Sequence, residues 1–228
     1  MELKDILVIV AHPDDEVLGM GGTIAKLSDK GHRVYVLIVT DGSTSQYAGR
    51  DDLEKILAEK HRETLEAAKI MGVEEVIFGD LPDMKLDTVA HTDVNKLIES
   101  AVEKVNPHII YTHFYGDINM DHKHVYNSVM VAARPMPQRK LKEIYCFDVP
   151  SSTEWSPQLT NTVFMPNYFV DITKTASKKY QAMAKYSTEL RDYPHPRSID
   201  YLKQTDTANG LKVGLLKAES FMLLRKID

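Results

Sequence analysis

Residues 6–22 read ILVIVAHPDDEVLGMGG, and this stretch decides the fold. The apolar run at residues 6–10 is typical of a strand that is buried on both faces of a parallel sheet. The chain turns through HPDDE at residues 12–16 and then shows helical spacing at residues 23–27. A strand, a polar turn and a helix in this order predict an α/β sheet, with the turn at the strand's C-terminal edge, where such sheets bind ligands.

Strands and helices continue to alternate through residue 133. We predict further strands at residues 34–39, 76–78 and 109–111, and helices at residues 53–71, 93–105 and 121–133. This order predicts a three-layer, Rossmann-like, mostly parallel sheet with right-handed crossovers. The polar residues 43–52 are expected to form a loop over the edge of the sheet.

The pattern changes after residue 133. Strands are expected at residues 144–149 and 164–172, and helices at residues 176–190 and about 211–225. We therefore expect a single domain over residues 1–228. Residues 1–133 would form its doubly wound core, and residues 134–228 a C-terminal extension that covers the rim of the sheet.

Composition excludes several classes of protein. The formal net charge is -5, and without a basic stripe we expect no nucleic-acid partner. No apolar run approaches the ~20 residues that cross a bilayer, and the first residues lack a signal-peptide pattern. A cytoplasmic protein without a transmembrane segment is expected. The single cysteine, Cys146, excludes an internal disulfide and a multi-cysteine zinc site.

The turn after the first strand carries the residues of a metal site. His12 and Asp15 are spaced i, i+3, which brings both side chains to one side if the turn enters a helix. His122 follows another predicted strand and therefore lies at the same edge. A catalytic zinc site needs about three protein ligands and an open position, so we predict one Zn²⁺ per chain. The ion would lower the pKa of bound water towards ~7, and Asp14 would remain beside it as general base.

A simpler interpretation treats the turn as purely structural. Asp14 and Asp15 would then cap a helix, and His12 would end a strand. Capping needs only one of these side chains, so the metal site accounts for more of the turn.

Several motifs of this chain are similar to those of one enzyme family. AHPDDE at residues 11–16, with the glycines that follow, resembles the first signature of the PIG-L (LmbE-like) zinc-dependent de-N-acetylases. GDINMDH at residues 116–122 resembles the second signature, and the likeness continues through residues 134–135, 150–155 and 195–198. The resemblance implies hydrolysis of the acetamide of an N-acetylglucosamine unit, in a glycan or in a smaller molecule that carries this sugar.

The resemblance also assigns roles to residues. It implies His12, Asp15 and His122 as metal ligands and Asp14 as general base. Many members have His-Pro-Asp-His in the second motif, whereas this chain has Asn119 at the position of the first histidine. An asparagine amide donates a hydrogen bond to an oxyanion but cannot act as a general acid.

Three further residues are expected to contact the substrate. Lys60 stands where members often have arginine, and it keeps the charge but lacks the bidentate fork. Asp83 matches a Pro-Asp loop that holds sugar hydroxyls, although a surface turn explains it equally well. Asp121 is expected to orient a metal-binding histidine or the substrate.

The departing amine needs a proton that Asn119 cannot supply. Asp14 could return the proton it took as base. Alternatively, His195 could supply it from a proline-flanked loop of its own or a neighbouring chain, although a purely structural histidine in a turn explains this residue equally well.

The resemblance further implies a homo-oligomer. The apolar side chains of Leu215, Leu216, Phe221 and Leu224 add a hint of an interface, or belong to the core.

Two other functions stay open beside the favoured zinc-dependent N-deacetylase. The glycines at residues 19–22 and Asp41 imitate a dinucleotide-binding Rossmann unit, but their spacing does not fit G-x-G-x-x-G, and carboxylates would face the phosphates. A non-catalytic carbohydrate-binding module could keep the metal as structure. Asp14 argues against that function, because binding a metal does not require it.

Overall fold

The computed structural model describes residues 2–43 and 52–228. The loop expected at residues 43–52 lies almost entirely outside these ranges. The strands are β1 (Asp5–Val10), β2 (Arg33–Thr40), β3 (Glu75–Leu81), β4 (Ile109–His113), β5 (Glu143–Phe147), β6 (Tyr168–Asp171) and β7 (Ala218–Lys226). The helices of the described residues are α1 (Asp15–Asp29), α2 (Leu53–Met71), α3 (His91–Val105), α4 (Met120–Ala132), α5 (Ala176–Met183) and α6 (Ile199–Leu211).

All seven strands join one sheet in the order β3-β2-β1-β4-β5-β7-β6. Strands β1 to β5 are parallel, whereas β7 is antiparallel to both β5 and β6. The central strand β1 is buried along its whole length. Its side chains alternate between two apolar layers, with Ile6 and Val8 in one and Leu7 and Ile9 in the other. The predicted α/β fold with a mostly parallel sheet and three layers is confirmed.

The C-terminal residues correct one prediction. Residues 211–225 do not form the expected helix, because α6 ends at Leu211 and β7 begins at Ala218. Phe221 packs in one apolar layer and Leu224 against the other. Residues three positions apart point to opposite faces of the sheet when they lie in a strand, whereas they share a face of a helix. Leu216 lies in the preceding loop with 72% of its surface exposed. These apolar residues therefore do not form one helical face.

The helix expected at residues 176–190 is also shorter than predicted. It ends at Met183, and residues 184–198 continue as turns and loop before α6. Ser187 and the backbone amide of Thr188 donate to Glu63 of α2, at 2.5 and 3.1 Å. These bonds fix the chain in a non-helical path across the rim of the sheet.

The glycines after the HPDDE turn are packing residues inside α1. This helix begins at Asp15, several residues before the predicted helical segment. A Cβ atom at Gly19 would run into the Phe147 ring, and one at Gly22 would lie 2.9 Å from Ile172 Cδ1. The glycines thus allow close approach of α1 to its neighbours rather than forming a phosphate-binding loop. The structural basis for a dinucleotide site is absent from this segment.

One buried cation links three elements of the C-terminal half to helix α1. Lys179 of α5 is 2% exposed, and its Nζ lies 2.9 Å from Asp206 Oδ1 on α6 and 2.8 Å from Glu219 Oε1 on β7. Glu219 also accepts hydrogen bonds from the backbone amides of Gly22 and Thr23 in α1, at 2.9 and 2.6 Å. The ammonium group therefore balances carboxylates that hold α1 against β7.

We predict that Lys179→Ala destabilises the protein by ~3–5 kcal/mol, since it leaves two buried carboxylates without their cation. Urea unfolding followed by circular dichroism measures this change. Lys178→Ala is the matched control, because Lys178 makes an exposed pair with Asp29 at 2.6 Å. It should lower the free energy of unfolding by no more than about 0.5 kcal/mol. Equal losses in the two variants would contradict a stabilising role for the buried network.

Candidate metal centre and active site

The turn between β1 and α1 has an unusual backbone at Asp14. Its φ and ψ angles are 104° and -27°, a region that residues other than glycine rarely adopt. Its carbonyl accepts the first helical amides of Val17 and Leu18 at 3.0 and 2.9 Å, but its side chain makes no capping hydrogen bond to the helix. The interpretation of Asp14 as a side-chain helix cap is therefore wrong.

Glu16 stabilises this turn through two hydrogen bonds. Its Oε2 accepts from the Asp14 amide at 3.2 Å, and its Oε1 accepts from the buried Tyr186 hydroxyl at 2.6 Å. Burial raises the pKa of Glu16 to about 7. The contact from Tyr186 comes from the chain after α5, so the C-terminal half of the protein supports the turn.

Three side chains meet in a triangle at the C-terminal edge of the sheet. His12 Nδ1 lies 3.2 Å from Asp15 Oδ2 and 3.2 Å from His122 Nε2, and the last two atoms are 3.3 Å apart. Tetrahedral zinc ligands, each about 2.0–2.1 Å from the ion, are separated by about 3.3–3.4 Å. Two imidazole nitrogens and one carboxylate oxygen are also a common donor set for divalent ions. The residues fit a metal ion, and the group His12, Asp15 and His122 could bind one.

Asp117 orients His122 for this role. Its Oδ2 lies 3.1 Å from His122 Nδ1 and accepts a hydrogen bond from Thr153 Oγ1 at 2.6 Å, while its Oδ1 accepts from Ser152 Oγ. Although burial opposes ionisation, His122 and the two hydroxyls lower the pKa of Asp117 to about 2. A carboxylate at Nδ1 keeps the proton there and leaves Nε2 available to bind a metal ion. The sequence motif contained Asp117, but the sequence analysis did not assign it.

Asp121 and Asp83 lie on the other side of His12. The Nε2 atom of His12 is 3.2 Å from Asp121 Oδ2 and 3.3 Å from Asp83 Oδ1. Asp121 Oδ1 also accepts from the Leu86 amide at 3.1 Å, which fixes the carboxylate. Asp121 is therefore placed to orient a histidine of the triangle.

His113 forms the wall behind the triangle. Its ring stacks on His122 with centroids 3.9 Å apart, and its Nε2 accepts from the Ala11 amide at 2.7 Å. Burial and the neighbouring His122 lower the pKa of His113 well below its usual range. A neutral imidazole thus packs against His122. Its place at the end of β4 was the signal that could have found it.

The two adjacent acids of the turn have opposite electrostatic environments. Burial opposes ionisation of Asp15, but His122 and His113 lower its pKa well below the usual range. Burial, Glu189 and Asp15 raise the pKa of Asp14 well above its usual range, against the opposing effect of Arg197. Paired acids with divergent pKa values are typical of catalytic sites.

A cavity of about 180 Å³ opens onto these groups. Seven residues named from the sequence line it: His12, Asp14, Asp15, Lys60, Asp83, Asn119 and His122. Glu189 and Arg197 line it as well, and sequence reasoning did not identify them as site residues. Among the described residues, Asp121 and His195 were named but do not line the cavity.

Asn119 presents an amide donor to the cavity. It precedes α4, and its Oδ1 accepts from the Asp121 amide at 2.9 Å as the N-cap of the helix. Its Nδ2 lies 3.5 Å from Met84 Sδ at the cavity wall. Because the carbonyl is used for capping, the NH₂ group faces the site.

Lys60 is enclosed by the C-terminal extension. It is 2% exposed, and its ammonium group forms an ion pair with Glu189. Glu189 also pairs with Arg197, and these two cations lower the pKa of Glu189 although burial opposes ionisation. Arg197 was visible in the HPRS motif, whereas no local pattern marks Glu189.

His195 lies beside the cavity, in the loop that carries Arg197. Its Nδ1 accepts from the Arg197 amide at 3.1 Å, and its ring is edge-on to Trp155 with centroids 6.2 Å apart. Partial burial and the neighbouring Arg197 and Arg191 lower the pKa of His195. The structure does not bring its imidazole together with the triangle in a single chain.

Comparison with known proteins identifies the family. The sequence model of the PIG-L family, described as GlcNAc-PI de-N-acetylase, matches residues 7–133. The uncharacterized deacetylase YaiS of Escherichia coli is 31% identical over 188 residues, which are 78% of this chain and 91% of that protein. The chain therefore belongs to the PIG-L family, as its motifs indicate.

Two other relatives show the range of activities on this fold. The diacetylchitobiose deacetylase of Thermococcus kodakarensis is 29% identical over 198 residues, covering 83% of this chain and 71% of that protein. The 4-carboxy-2-hydroxymuconate hydratase GalB of Pseudomonas putida superposes with a TM-score of 0.79 at 20% identity, covering 99% of this chain and 98% of that chain. The fold alone thus does not distinguish amide hydrolysis from hydration.

The described helices do not include a membrane span. Over residues 2–43 and 52–228, none is both long enough and apolar enough to cross a bilayer.

We predict that the purified protein carries about one divalent ion per chain, and that His122→Ala loses it because one corner of the triangle is gone. Elemental analysis by mass spectrometry measures the occupancy. His124→Ala, two residues further along α4, is the control and should keep its metal. Full occupancy in the His122 variant would remove this residue from the ligand set.

Proposed function

We propose that this protein is a Zn²⁺-dependent N-deacetylase that hydrolyses the acetamide of an N-acetylglucosamine-type substrate to acetate and a free amine. The observation that carries the proposal is the triangle of His12, Asp15 and His122 beside a buried Asp14 oxygen. That oxygen, Oδ2, has no hydrogen-bond partner among the described residues. Membership of the PIG-L family supports the same reaction class.

The three residues of the triangle would hold the ion. Zinc bound there would polarise the acetamide carbonyl and lower the pKa of a water molecule. Asp14 accepts the proton of the attacking water, since none of the described residues donates a hydrogen bond to its Oδ2. Asn119 donates from Nδ2 to the carbonyl oxygen as that atom gains negative charge. Asp117 and Asp121 keep the two histidines in place.

The leaving amine takes its proton from Asp14. The environment that raises the pKa of Asp14 favours a carboxyl group that can hold a proton and give it back. His195 is the alternative donor, either from its own chain or from a neighbouring chain. That second route requires the homo-oligomer that the family resemblance implies.

The substrate class rests on the relatives. The family description names a GlcNAc-PI de-N-acetylase, and one relative is a diacetylchitobiose deacetylase. We therefore propose a neutral N-acetyl sugar as the group that enters the cavity. The hydratase relative makes hydration of an unsaturated acid the alternative reaction, which needs no acetamide.

We predict that the wild-type protein releases acetate from N-acetylglucosamine or its oligomers, and that Asp14→Asn lowers kcat by ~10²–10⁴-fold. An amide cannot accept the water proton, while the metal ligands remain intact. Acetate release and metal content are measured on the same samples. Asp29→Asn, at the exposed far end of α1, is the control and should retain activity.

Three results would contradict the proposal. Absence of acetate release from all N-acetyl sugars, together with hydration of an unsaturated carboxylic acid, would assign the alternative reaction. Full activity of Asp14→Asn with its metal retained would remove Asp14 as the base. A protein that binds the sugar and its metal but never releases acetate would be a binding module.

We predict that His195→Ala lowers kcat by ~10²-fold or more if its imidazole protonates the amine, with no change in metal content. The pH dependence of kcat is the second measurement, since a lost general acid removes one limb of the profile. Light scattering on the same samples shows whether a neighbouring chain is present. An unchanged kcat and pH profile would assign the proton return to Asp14 alone.

A further inference from the structure

Arg197 and Asp14 lie beside each other at the cavity and form an ion pair without a hydrogen bond. Arg197 NH1 lies 3.8 Å from Asp14 Oδ2, which is too long for a hydrogen bond. Within the described part of the chain, Arg197 Nε and Asp14 Oδ2 are both buried and lack hydrogen-bond partners. Buried polar atoms without partners are rare in folded proteins. The described residues therefore leave part of the donor capacity of Arg197 unused at the wall of the cavity, where a ligand could accept a hydrogen bond.

Glu189 holds the guanidinium in this position. It forms ion pairs with Arg197 through Oε2 and with Lys60 through Oε1. The Lys60 ammonium group is enclosed by this pair, with 3% of its side chain exposed, whereas 20% of the Arg197 side chain remains exposed. Of the two cations at the cavity, Arg197 is therefore the more accessible to a ligand.

The loop that carries Arg197 is fixed at both ends. At its start, Glu63 of α2 accepts hydrogen bonds from Ser187 and Thr188. At its end, the Ser198 hydroxyl accepts from the Tyr201 amide at 3.2 Å and caps α6. Arg197 thus enters the cavity from a loop anchored on both sides, as an orienting residue must.

The charges of the cavity indicate what Arg197 binds. The described residues that line it include four acidic side chains and two basic ones, namely Asp14, Asp15, Asp83 and Glu189 against Lys60 and Arg197. A bound divalent cation would balance this difference and leave no surplus positive charge. The cavity therefore suits a neutral hydroxyl oxygen as acceptor rather than a phosphate or a carboxylate.

We propose that Arg197 is a substrate-binding residue whose guanidinium donates a hydrogen bond to a hydroxyl oxygen of a neutral sugar, with Glu189 as its positioning residue. The proposal rests on the proposed deacetylase function, because it concerns the same cavity. It assigns the role expected of Lys60 to a residue about 140 positions further along the chain.

The test is steady-state kinetics of acetate release by wild type, Arg197→Ala, Arg197→Lys and Arg62→Ala. Loss of a hydrogen bond to a charged donor should raise KM on the order of 10- to 100-fold, with a smaller change in kcat. Arg197→Lys should recover part of the loss, because it keeps the charge without the fork. Arg62 is exposed on α2 and pairs with Glu59 and Glu66, so Arg62→Ala should match wild type.

Glu189→Gln tests the positioning role. It should raise KM in the same direction as Arg197→Ala, and combining the two substitutions should add little to the effect of Arg197→Ala alone. Glucosamine binding, measured by calorimetry, should weaken in parallel, while metal content stays at the wild-type value. Fully additive effects would show that Glu189 does not act through Arg197.

Three outcomes would overturn the proposal while leaving the deacetylase function intact. One is wild-type KM and glucosamine affinity in Arg197→Ala. Another is a lower kcat with an unchanged KM, which would mean that Arg197 acts only through Asp14. The third is a clear preference for N-acetylglucosamine 6-phosphate that depends on Arg197, which would make its ligand an anion. If wild type releases no acetate at all, the proposed function itself fails.

Discussion

The left-handed backbone at Asp14 is the constraint on which the site depends. A residue other than glycine in this region costs about 1–2 kcal/mol, so the surrounding structure must hold it. Glu16 does so by accepting hydrogen bonds from the Asp14 amide and the Tyr186 hydroxyl. The turn sends two consecutive carboxylates in different directions. Asp15 reaches the two histidines of the triangle, while the Oδ2 atom of Asp14 faces the cavity.

This divergence gives identical side chains different chemistry. Asp15 lies against imidazoles and keeps its charge, as a metal ligand must. Asp14 is buried near Glu189 and holds a proton more readily, which suits a group that takes and returns one. The distinction comes from the surroundings rather than from the sequence of the turn. It depends on side chains contributed by both halves of the protein.

The sequence predicted what depends on local pattern. The apolar run at residues 6–10 and the end-of-strand rule predicted His12, Asp15 and His122 at one edge of the sheet, and the structure places them together. The C-terminal prediction was wrong because apolar residues at 215–224 fit a helical spacing as well as the alternation of a strand. Only pairing of β7 with β5 and β6 decides between them. Glu189 was missed because its partner Lys60 is far away in the sequence.

The C-terminal extension completes the site rather than merely covering it. Helix α2 carries Lys60 and Glu63. In the extension, Glu189 pairs with Lys60, and the hydroxyl groups of Ser187 and Thr188 donate hydrogen bonds to Glu63. An ammonium group is a point charge, so Lys60 cannot present the two parallel donors of a guanidinium. Through Glu189, its charge instead helps to fix Arg197, which brings that planar fork to the wall of the cavity. A lysine at position 60 and an arginine at position 197 are therefore linked through one carboxylate, and neither segment of the chain reveals this link on its own.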